Sequence, residues 1–321
     1  MKRFRKAVVV VTGGAGYIGS HVVAELIKAG EEIVVLDDLS AGSEENLFLG
    51  PEFIKGDFAS PAIWKTILKY NKVKAVIHLA AKIDANESLL KPGLYYEHNT
   101  FKTIKLLEIL KGERISKLVF ASTAAVYGRQ IILPISENAQ LRPINPYGSS
   151  KLLAEQVIEY YCQYLGLNAV ILRFFNAVGT TQEVMVHPQN PHGLLAQIKK
   201  AIQQNSIFKI FGDEYETKDG TCIRDLVHTV DLARAHVASL NYLKEFKGLA
   251  TFNVGSGTGF TIKEILTVAQ EVSQQNIEIK VAKPRAGEIP VSVADISVIG
   301  RVLKFELKYS DLKTILNSIL L

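Results

Sequence analysis

The sequence predicts an α/β protein built on a doubly wound parallel sheet, with a smaller second domain. Three observations predict this fold class: short β-branched runs alternate with helical patterns in the first half, a glycine-rich turn follows the first run, and the alternation stops after residue 176. Strict alternation of strand and helix is typical of a parallel sheet with helices on both faces. Right-handed crossovers then extend the sheet in both directions from its centre.

The elements of the first half are assigned from run length and from the spacing of apolar residues. Short apolar runs predict six strands: Ala7–Val11, Ile33–Leu36, Phe53–Ile54, Ala75–Leu79, Lys117–Ala121 and Ala169–Arg173. Apolar residues at helical spacing predict four helices between them: Tyr17–Lys28, Pro61–Tyr70, Leu94–Leu110 and Tyr147–Tyr164.

The second half has a different composition. Residues 177–226 are rich in His, Pro, Gly, Asp and Thr, which predicts loops around one helix at Leu195–Gln203. The later elements are predicted to be a helix, a strand and a helix: Asp231–Tyr242, Phe252–Val254 and Ile262–Val272.

This change predicts two domains. The first comprises residues 1–176, joined by residues 227–248. The second is a smaller, discontinuous α/β domain of residues 177–226 and 249–321, which we expect to bind the substrate.

Composition and charge exclude several classes of function. The 321 residues are 48% hydrophobic and 21% charged, as in ordinary soluble globular proteins. The net charge is +5, but no basic stripe interleaved with aromatic residues occurs, so we expect no nucleic-acid partner. The two cysteines are too few for a disulfide framework or a zinc site, and no apolar run reaches the roughly 18 residues of a membrane span. We expect a cytoplasmic protein with no membrane partner.

A glycine motif follows the first predicted strand. In VVVVTGGAGYIGSH, Gly13, Gly16 and Gly19 lie between that strand and the start of a helix. The first glycine allows a tight turn, the second lets the backbone approach a pyrophosphate, and the third lets the helix pack on the strand. The N–H groups at the helix N-terminus would then bind the anion. This context predicts a dinucleotide-binding (Rossmann) domain.

The end of the second predicted strand indicates which dinucleotide binds. Asp37 lies there, 18 positions after Gly19 (37 − 19). A carboxylate at this point accepts hydrogen bonds from the adenosine ribose and repels a 2′-phosphate. No Arg or Lys follows it closely, so we predict NAD rather than NADP. Asp57, after the third strand, is either a contact to adenine or an ordinary surface carboxylate.

A phenol and an ammonium stand four residues apart in INPYGSSKLLAEQ. They are Tyr147 and Lys151, and residues at this spacing share one face of a helix. The ammonium can therefore favour the phenolate. The preceding strand ends in FASTAAVYG, which places Thr123 at the ligand-binding edge of the sheet. Such a spacing is common on amphipathic helices, but beside a nicotinamide these three groups form an acid–base set for moving a proton.

A metal site is not predicted. His187 and His192 lie in a proline-rich loop, but their spacing matches no ligand motif, and no cluster of carboxylates lies near them in the sequence.

Taken together, the motifs resemble the extended short-chain dehydrogenases/reductases, and within them the members that act on UDP-hexoses. The resemblance runs from about Val8 to Asp295 and is carried by VTGGAGYIGSH, LDDLS, VIHLAA, STAAVYG, NPYGSSK, LRFFNAVG, IFGDEYETKDGTCIRDLVHTVDLA, FNVGSG and PRAGEIP. It implies an NAD-dependent isomerase that interconverts UDP-glucose and UDP-galactose through a 4-keto intermediate. It also implies a homodimer that pairs helices Leu94–Leu110 and Tyr147–Tyr164.

The resemblance also implies the site residues. The catalytic residues would be Thr123, Tyr147 and Lys151, although the family usually has Ser at the first position. The contacts to NAD would be Gly13, Gly16, Tyr17, Ile18, Gly19, Asp37, Asp38, Ser40, Asp57, Phe58, Leu79, Ala80, Ala81, Asn99, Tyr147, Lys151 and Phe175. The contacts to the UDP-sugar would be Thr123, Tyr147, Asn176, His192, Arg224, Arg285, Glu288 and Ser292.

One of these residues bears on which sugars fit. The resemblance places Ser292 at the C2 side of the sugar, where a bulky Tyr would exclude an N-acetyl group because of close packing. Ser removes most of that volume, so we expect UDP-N-acetylglucosamine and UDP-N-acetylgalactosamine to interconvert as well.

The dinucleotide motif is also compatible with two other functions. A nucleotide-sugar 4,6-dehydratase or a UDP-glucuronate decarboxylase would have an acidic residue shortly after the catalytic hydroxyl, whereas Ala124 and Ala125 follow Thr123 here. A non-catalytic NAD-sensing protein would not need the hydroxyl, phenol and ammonium together.

Overall fold

The positions of the helices and strands come from a computed structural model that describes residues 5–184, 186, 193–285 and 287–320. The strands are β1 Lys6–Thr12, β2 Ile33–Asp37, β3 Glu52–Lys55, β4 Asn71–His78, β5 Lys117–Thr123, β6 Asn168–Phe174, β7 Asn176–Val178, β8 Phe208–Phe211, β9 Ile223–His228, β10 Leu249–Val254, β11 Gly259–Thr261, β12 Ile279–Ala282 and β13 Val291–Ser292. The helices are α1 Tyr17–Lys28, α2 Pro61–Tyr70, α3 Ala85–Leu90, α4 Pro92–Tyr95, α5 Lys102–Gly112, α6 Pro146–Leu165, α7 Leu194–Gln204, α8 Thr229–Tyr242, α9 Ile262–Ser273, α10 Ser297–Leu303 and α11 Leu312–Leu320.

The largest sheet has seven strands in the order β10-β6-β5-β4-β1-β2-β3. The pairings of β1 with β2 and β4, of β2 with β3, and of β4 with β5 are all parallel. The chain therefore starts in the interior of the sheet and extends it first to one side and then to the other. The predicted doubly wound α/β fold is confirmed.

Two compact units make up the chain. The first comprises Met1–Gly128, Leu141–Arg173 and Ala233–Phe252, and the second comprises Arg129–Gln140, Phe174–Leu232 and Asn253–Leu321. The apolar core of the first unit lies on the sheet and includes Val10, Trp64, Leu106, Phe120 and Ile158. The core of the second unit is built from α7, α9, α11 and short strands, and it includes Ile198, Ile210, Leu226, Ile265 and Ile315.

The observed unit boundaries differ from the predicted domain boundaries in four segments: residues 129–140, 174–176, 227–232 and 249–252. Residues 129–140 belong to the second unit because the Ile135 N–H donates to Val293 O at 2.8 Å, and Asn253 Nδ2 donates to Ile135 O at 2.8 Å. Residues 227–232 also belong to it, because the Asp231 carboxylate accepts hydrogen bonds from the backbone of Lys308 and Tyr309. These contacts join residues far apart in sequence, which local patterns do not reveal.

The region predicted as loops contains strands as well as its helix. β7, β8 and β9 fall within residues 176–228, and β9 pairs with β7, β11 and β13. Among the described residues, no helix is long and apolar enough to cross a membrane.

Candidate active site

The glycine-rich turn lies between β1 and α1. Gly13 has φ +75, and a Cβ there would lie 2.6 Å from the Ala80 backbone nitrogen. A Cβ at Gly19 would lie 2.0 Å from Gly13 O, so the first and third glycines are required by close backbone packing. A Cβ at Gly16 would meet nothing nearer than 3.4 Å, which leaves its outer face open at the start of α1. An open backbone surface at a helix N-terminus fits a pyrophosphate.

The carboxylate predicted to bind ribose is buried at the end of β2. Asp37 accepts the Ala15 N–H at 3.0 Å on one oxygen and the Leu39 N–H at 2.8 Å on the other. Burial raises the pKa of Asp37, against the effect of these two donors. Each oxygen has a second lone pair, so the carboxylate retains capacity for ribose hydroxyls. The neighbouring Asp38 accepts the Ser40 N–H at 2.8 Å, and both of these residues are exposed.

A lysine that the sequence analysis missed lies beside the predicted adenine contact. Lys102 Nζ is 2.7 Å from Asp57 Oδ2, and the Ala59 N–H donates to the other oxygen at 2.9 Å. Burial opposes ionisation, but these two donors hold the pKa of Asp57 below its ordinary value. Phe58 is buried, with its ring centroid 6.0 Å from Lys102 Nζ. Asp57 is therefore an ion-paired carboxylate before it contacts any ligand.

The segment after β4 is held by Asn99, which lies in a π-helix spanning Tyr96–Phe101. Asn99 Oδ1 accepts the Lys82 N–H at 2.8 Å, and its Nδ2 donates to Lys82 O at 2.9 Å and to Ser150 Oγ at 3.0 Å. The Leu79 and Ala80 N–H groups donate to Thr12 O, at the end of β1. Asn99 thus uses both amide hydrogens to hold the end of β4 and the start of α6.

Three predicted catalytic residues come together where β5 ends and α6 begins. Asn145 caps α6 by accepting the Gly148 N–H at 2.8 Å, and Pro146 occupies the first turn. This start places Tyr147 within reach of Thr123, whose hydroxyl hydrogen-bonds the phenol. Lys151 lies one turn further along, is 3% exposed, and has its Nζ 4.2 Å from the centroid of the Phe120 ring.

Burial dominates the electrostatics of this set. It raises the pKa of Tyr147, and the hydrogen bond from Thr123 opposes that shift. It lowers the pKa of Lys151 to about 7, against the attraction of the nearby Glu155 carboxylate. The phenol and the ammonium are therefore each driven toward the neutral form. For Tyr147 to act as a base, neighbouring opposite charges must therefore stabilise the charged forms.

Five of the residues predicted to contact the UDP-sugar lie in the second unit: Asn176, Arg224, Arg285, Glu288 and Ser292. Arg224, on β9, donates from Nη1 to Ile289 O at 2.8 Å and forms an ion pair with Glu288 through Nη2. Asn176 Nδ2 donates to Asp225 O at 2.9 Å, and Ser292 is the register partner of Arg224 in the parallel pair of β13 with β9. The sheet thus brings four of the predicted residues together.

Arg285 also lies in the second unit. Its guanidinium carbon is 3.7 Å from the centroid of Phe211, an aromatic residue that the sequence analysis missed. Phe175 is buried in this unit and donates its N–H to Val254 O at 3.0 Å. His187 and His192 lie outside the described residues. Within the described part of the chain, no group of three or more His, Cys, Asp or Glu side chains could hold a metal ion.

The doubly wound sheet and its glycine-rich turn define a class of protein: an enzyme that binds a dinucleotide at the ends of parallel strands. Residues 9–255 match the NAD dependent epimerase/dehydratase family, and the chain belongs to that family.

Individual relatives are similar over nearly their whole length. The chain is 39% identical over 313 residues to a UDP-glucose 4-epimerase of Rhizobium meliloti, covering 97% of this chain and 95% of that protein. A crystal structure of UDP-glucose 4-epimerase from Brucella ovis in complex with NAD is 37% identical, with a TM-score of 0.92 and coverage of 98% and 97%. The UDP-Glc/GlcNAc 4-epimerase of Campylobacter jejuni is also 37% identical, with a TM-score of 0.86 and 98% coverage of both chains. The family resemblance predicted from the sequence is confirmed.

Proposed function

We propose that the protein is an NAD-dependent isomerase that interconverts UDP-glucose and UDP-galactose through a 4-keto intermediate. The observation that carries the proposal is the set of a buried Thr123, a half-buried Tyr147 and a buried Lys151 at the end of β5 and the start of α6. Near full-length similarity to UDP-glucose 4-epimerases supports the choice of reaction within the family.

Side chains of the protein itself transfer the proton. Tyr147 accepts the proton of the sugar's C4 hydroxyl, and Thr123 orients that hydroxyl by hydrogen bonding beside the phenol. Lys151 stabilises the charge that the phenol carries before the transfer. NAD, held by the residues at the ends of β1, β2 and β4, would supply the reversible hydride transfer at C4. Tyr147 then gives the proton back to the C4 oxygen, so the reaction has no net oxidation.

The cofactor would lie along the edge formed by β1, β2 and β4. Its pyrophosphate would meet Gly13, Gly16, Tyr17, Ile18 and Gly19, and its adenosine would meet Asp37, Asp38, Ser40, Asp57 and Phe58. Its nicotinamide side would meet Leu79, Ala80, Ala81, Asn99, Tyr147, Lys151 and Phe175. The open Gly16 face and the spare lone pairs of Asp37 support this assignment.

The UDP-sugar would be held by the second unit. Arg224 and Arg285 suit diphosphate oxygens because a guanidinium donates in a fork. Asn176, Glu288 and Ser292 would contact the sugar nucleotide beside them, and His192 is assigned to it by resemblance alone. Ser292 supports a second pair of substrates, UDP-N-acetylglucosamine and UDP-N-acetylgalactosamine, and one similar structure is named as a UDP-Glc/GlcNAc 4-epimerase.

A homodimer and a cytoplasmic location belong to the proposal. Exposed apolar and aromatic side chains lie on the first unit's helices, including Leu90, Phe101, Leu153, Tyr160 and Tyr164. Large exposed apolar surfaces mark interaction sites, which supports pairing of these helices across a dimer. The two cysteines are free thiols, as expected in a reducing compartment.

The test is turnover of UDP-galactose by the purified protein without added NAD. We expect UDP-glucose to form, and we expect NAD in the supernatant after the protein is denatured, because the cycle regenerates its own cofactor. A 4,6-dehydratase would instead release a 4-keto-6-deoxy sugar nucleotide, a decarboxylase would release carbon dioxide from UDP-glucuronate, and a sensor would bind NAD without any turnover. Any of these results would refute the proposal.

A further inference from the structure

Helix α6 carries a third buried polar group on the face that bears the catalytic pair. Tyr147, Lys151 and Glu155 follow one another at intervals of four residues, so they line one side of the helix. Glu155 is 4% exposed, and carboxylates are rarely buried to this extent unless they are paired.

The Glu155 carboxylate is the centre of a network that reaches two strands. Arg173, on β6, donates to it from Nε at 3.2 Å to each oxygen and from Nη2 at 2.7 Å. Ser122 Oγ donates to the same carboxylate from β5, directly before Thr123. Arg173 Nη1 donates to the Tyr127 hydroxyl at 3.0 Å. The network therefore fixes the strand end that presents the catalytic hydroxyl.

A stability role alone does not explain this network. A buried ion pair often stabilises a fold no better than apolar side chains of similar volume. Lys151, in contrast, gains from a carboxylate, because its ammonium is buried against the Phe120 ring. The titratable groups near it are Tyr147 and Glu155 on its own helix and His78 on β4, with Arg173 behind Glu155 on β6. Burial lowers the pKa of His78 well below its ordinary value, so Glu155 supplies the negative charge in this group.

We propose that Glu155 is a positioning residue for the reaction: its buried carboxylate, one helical turn from Lys151, holds the Lys151 ammonium in its charged form and fixes the end of β5 through Ser122. This role rests on the proposed function, since the charged ammonium matters because Tyr147 must act as a base. The attraction of Glu155 opposes the effect of burial on the pKa of Lys151, which agrees with the geometry.

The test follows the titration of Lys151 in the purified holoenzyme labelled with ¹³C at lysine Cε, with Lys151→Met identifying its signal. Glu155→Gln keeps an oxygen for Ser122 and Arg173 but removes the charge. We expect the Lys151 midpoint to fall by about two pH units, the effect of a unit charge one turn away at an effective dielectric constant of about 20. Glu159→Gln, at an exposed position two turns from Lys151, should change the midpoint far less.

Because breaking a buried ion pair is costly, a second variant replaces both partners. Glu155→Met with Arg173→Met leaves neither of these charges unpaired, and such replacements are often neutral or stabilising. Its Lys151 midpoint should also lie below that of the wild type. A wild-type midpoint in either variant overturns the proposal, even if the variant is slower or less stable, because a purely structural ion pair predicts no change in titration.

Activity gives an independent readout. In Glu155→Gln, the fall of kcat for UDP-galactose with rising pH should begin about two pH units earlier than in the wild type. A loss that is equal at every pH would contradict the role of Glu155. Absence of epimerisation in the wild type would refute the proposed function instead, and the titration of Lys151 would still test the charge of its neighbour.

Discussion

The guanidinium of Arg285 stacks on the ring of Phe211, with 3.7 Å between the guanidinium carbon and the ring centroid. The stack follows from strand pairing, because Phe211 at the end of β8 is the register partner of Ala282 at the end of β12. Arg285 comes three residues after that strand end. A guanidinium held flat on an aromatic ring keeps its N–H edge available for anions.

Phe211→Leu should weaken binding of the UDP-sugar while leaving the chemistry intact. A cation–π contact is worth about 0.5–2 kcal/mol, so we expect KM for UDP-galactose to rise about 2- to 30-fold with little change in kcat. Steady-state kinetics and calorimetric titration with UDP measure the effect. Lys209→Ala changes an exposed neighbour on β8 and serves as the control. Unchanged affinity for UDP in Phe211→Leu would exclude the stack from the binding site.

Tyr147→Phe should abolish turnover and spare the cofactor. The phenol transfers the proton in the proposed mechanism, and general acid–base catalysis typically contributes about 10²–10⁴-fold to the rate. The rest of the ring keeps its packing, including the edge contact with Tyr95 at 6.4 Å between centroids. Epimerisation and bound NAD are measured on the same preparation. A variant that turns over at close to the wild-type rate removes Tyr147 from the mechanism.

Lys151→Met should raise stability near neutral pH while removing activity. The folded state lowers the pKa of Lys151 from 10.5 to about 7, so between these values the unfolded chain binds the proton more tightly. The free energy of unfolding of the wild type therefore rises as the pH rises from about 7 toward 10.5, and it falls again as the pH returns to 7. The advantage of the variant should shrink by up to about 1.4 kcal/mol per pH unit from pH 7 to 9. Urea unfolding of both proteins at several pH values tests this, and a constant difference contradicts it.

The glycine turn allows a matched pair of variants. Gly19→Ala places a Cβ 2.0 Å from Gly13 O, so we expect a loss of about 1–3 kcal/mol in the free energy of unfolding. In Gly16→Ala the new Cβ has only one contact, at 3.4 Å, and the φ of −79 suits alanine, so the free energy of unfolding should change little. The Cβ would occupy the surface proposed for the pyrophosphate, so we expect the purified protein to lose NAD. Denaturant unfolding and assay of released nucleotide distinguish the two. Retention of NAD by Gly16→Ala would show that the pyrophosphate lies elsewhere.

Much of the first unit is predictable because its signals are local. The helices Tyr17–Lys28 and Pro61–Tyr70 begin and end where the sequence predicts, since a glycine turn and a proline mark their starts. The sequence also predicts the set of Thr123, Tyr147 and Lys151. The i, i+4 spacing places Tyr147 and Lys151 on one helix face, and the end of a parallel strand places Thr123 at the ligand-binding edge.

Local sequence patterns do not predict contacts between segments that are far apart in the chain. The network of Glu155 depends on an arginine 18 positions later and a serine 33 positions earlier. Lys102 reaches Asp57 across 45 positions, and no local period indicates that pairing. Within residues 177–226, strands as short as β7 carry too few residues for an alternation to be visible.

The last prediction is that Ser292 determines which sugars the enzyme accepts. Ser292 is half-buried on β13 and paired in register with Arg224. A tyrosine at this point would fill the space beside the sugar's C2 substituent, and close packing makes such a clash costly. We expect the wild type to interconvert UDP-N-acetylglucosamine and UDP-N-acetylgalactosamine, and Ser292→Tyr to suppress that pair while sparing UDP-glucose and UDP-galactose. Ser297→Tyr, at an exposed position, controls for added bulk. Wild-type enzyme that converts only the plain sugars would refute this role of Ser292, because the space left by the small side chain would then lie outside the sugar site.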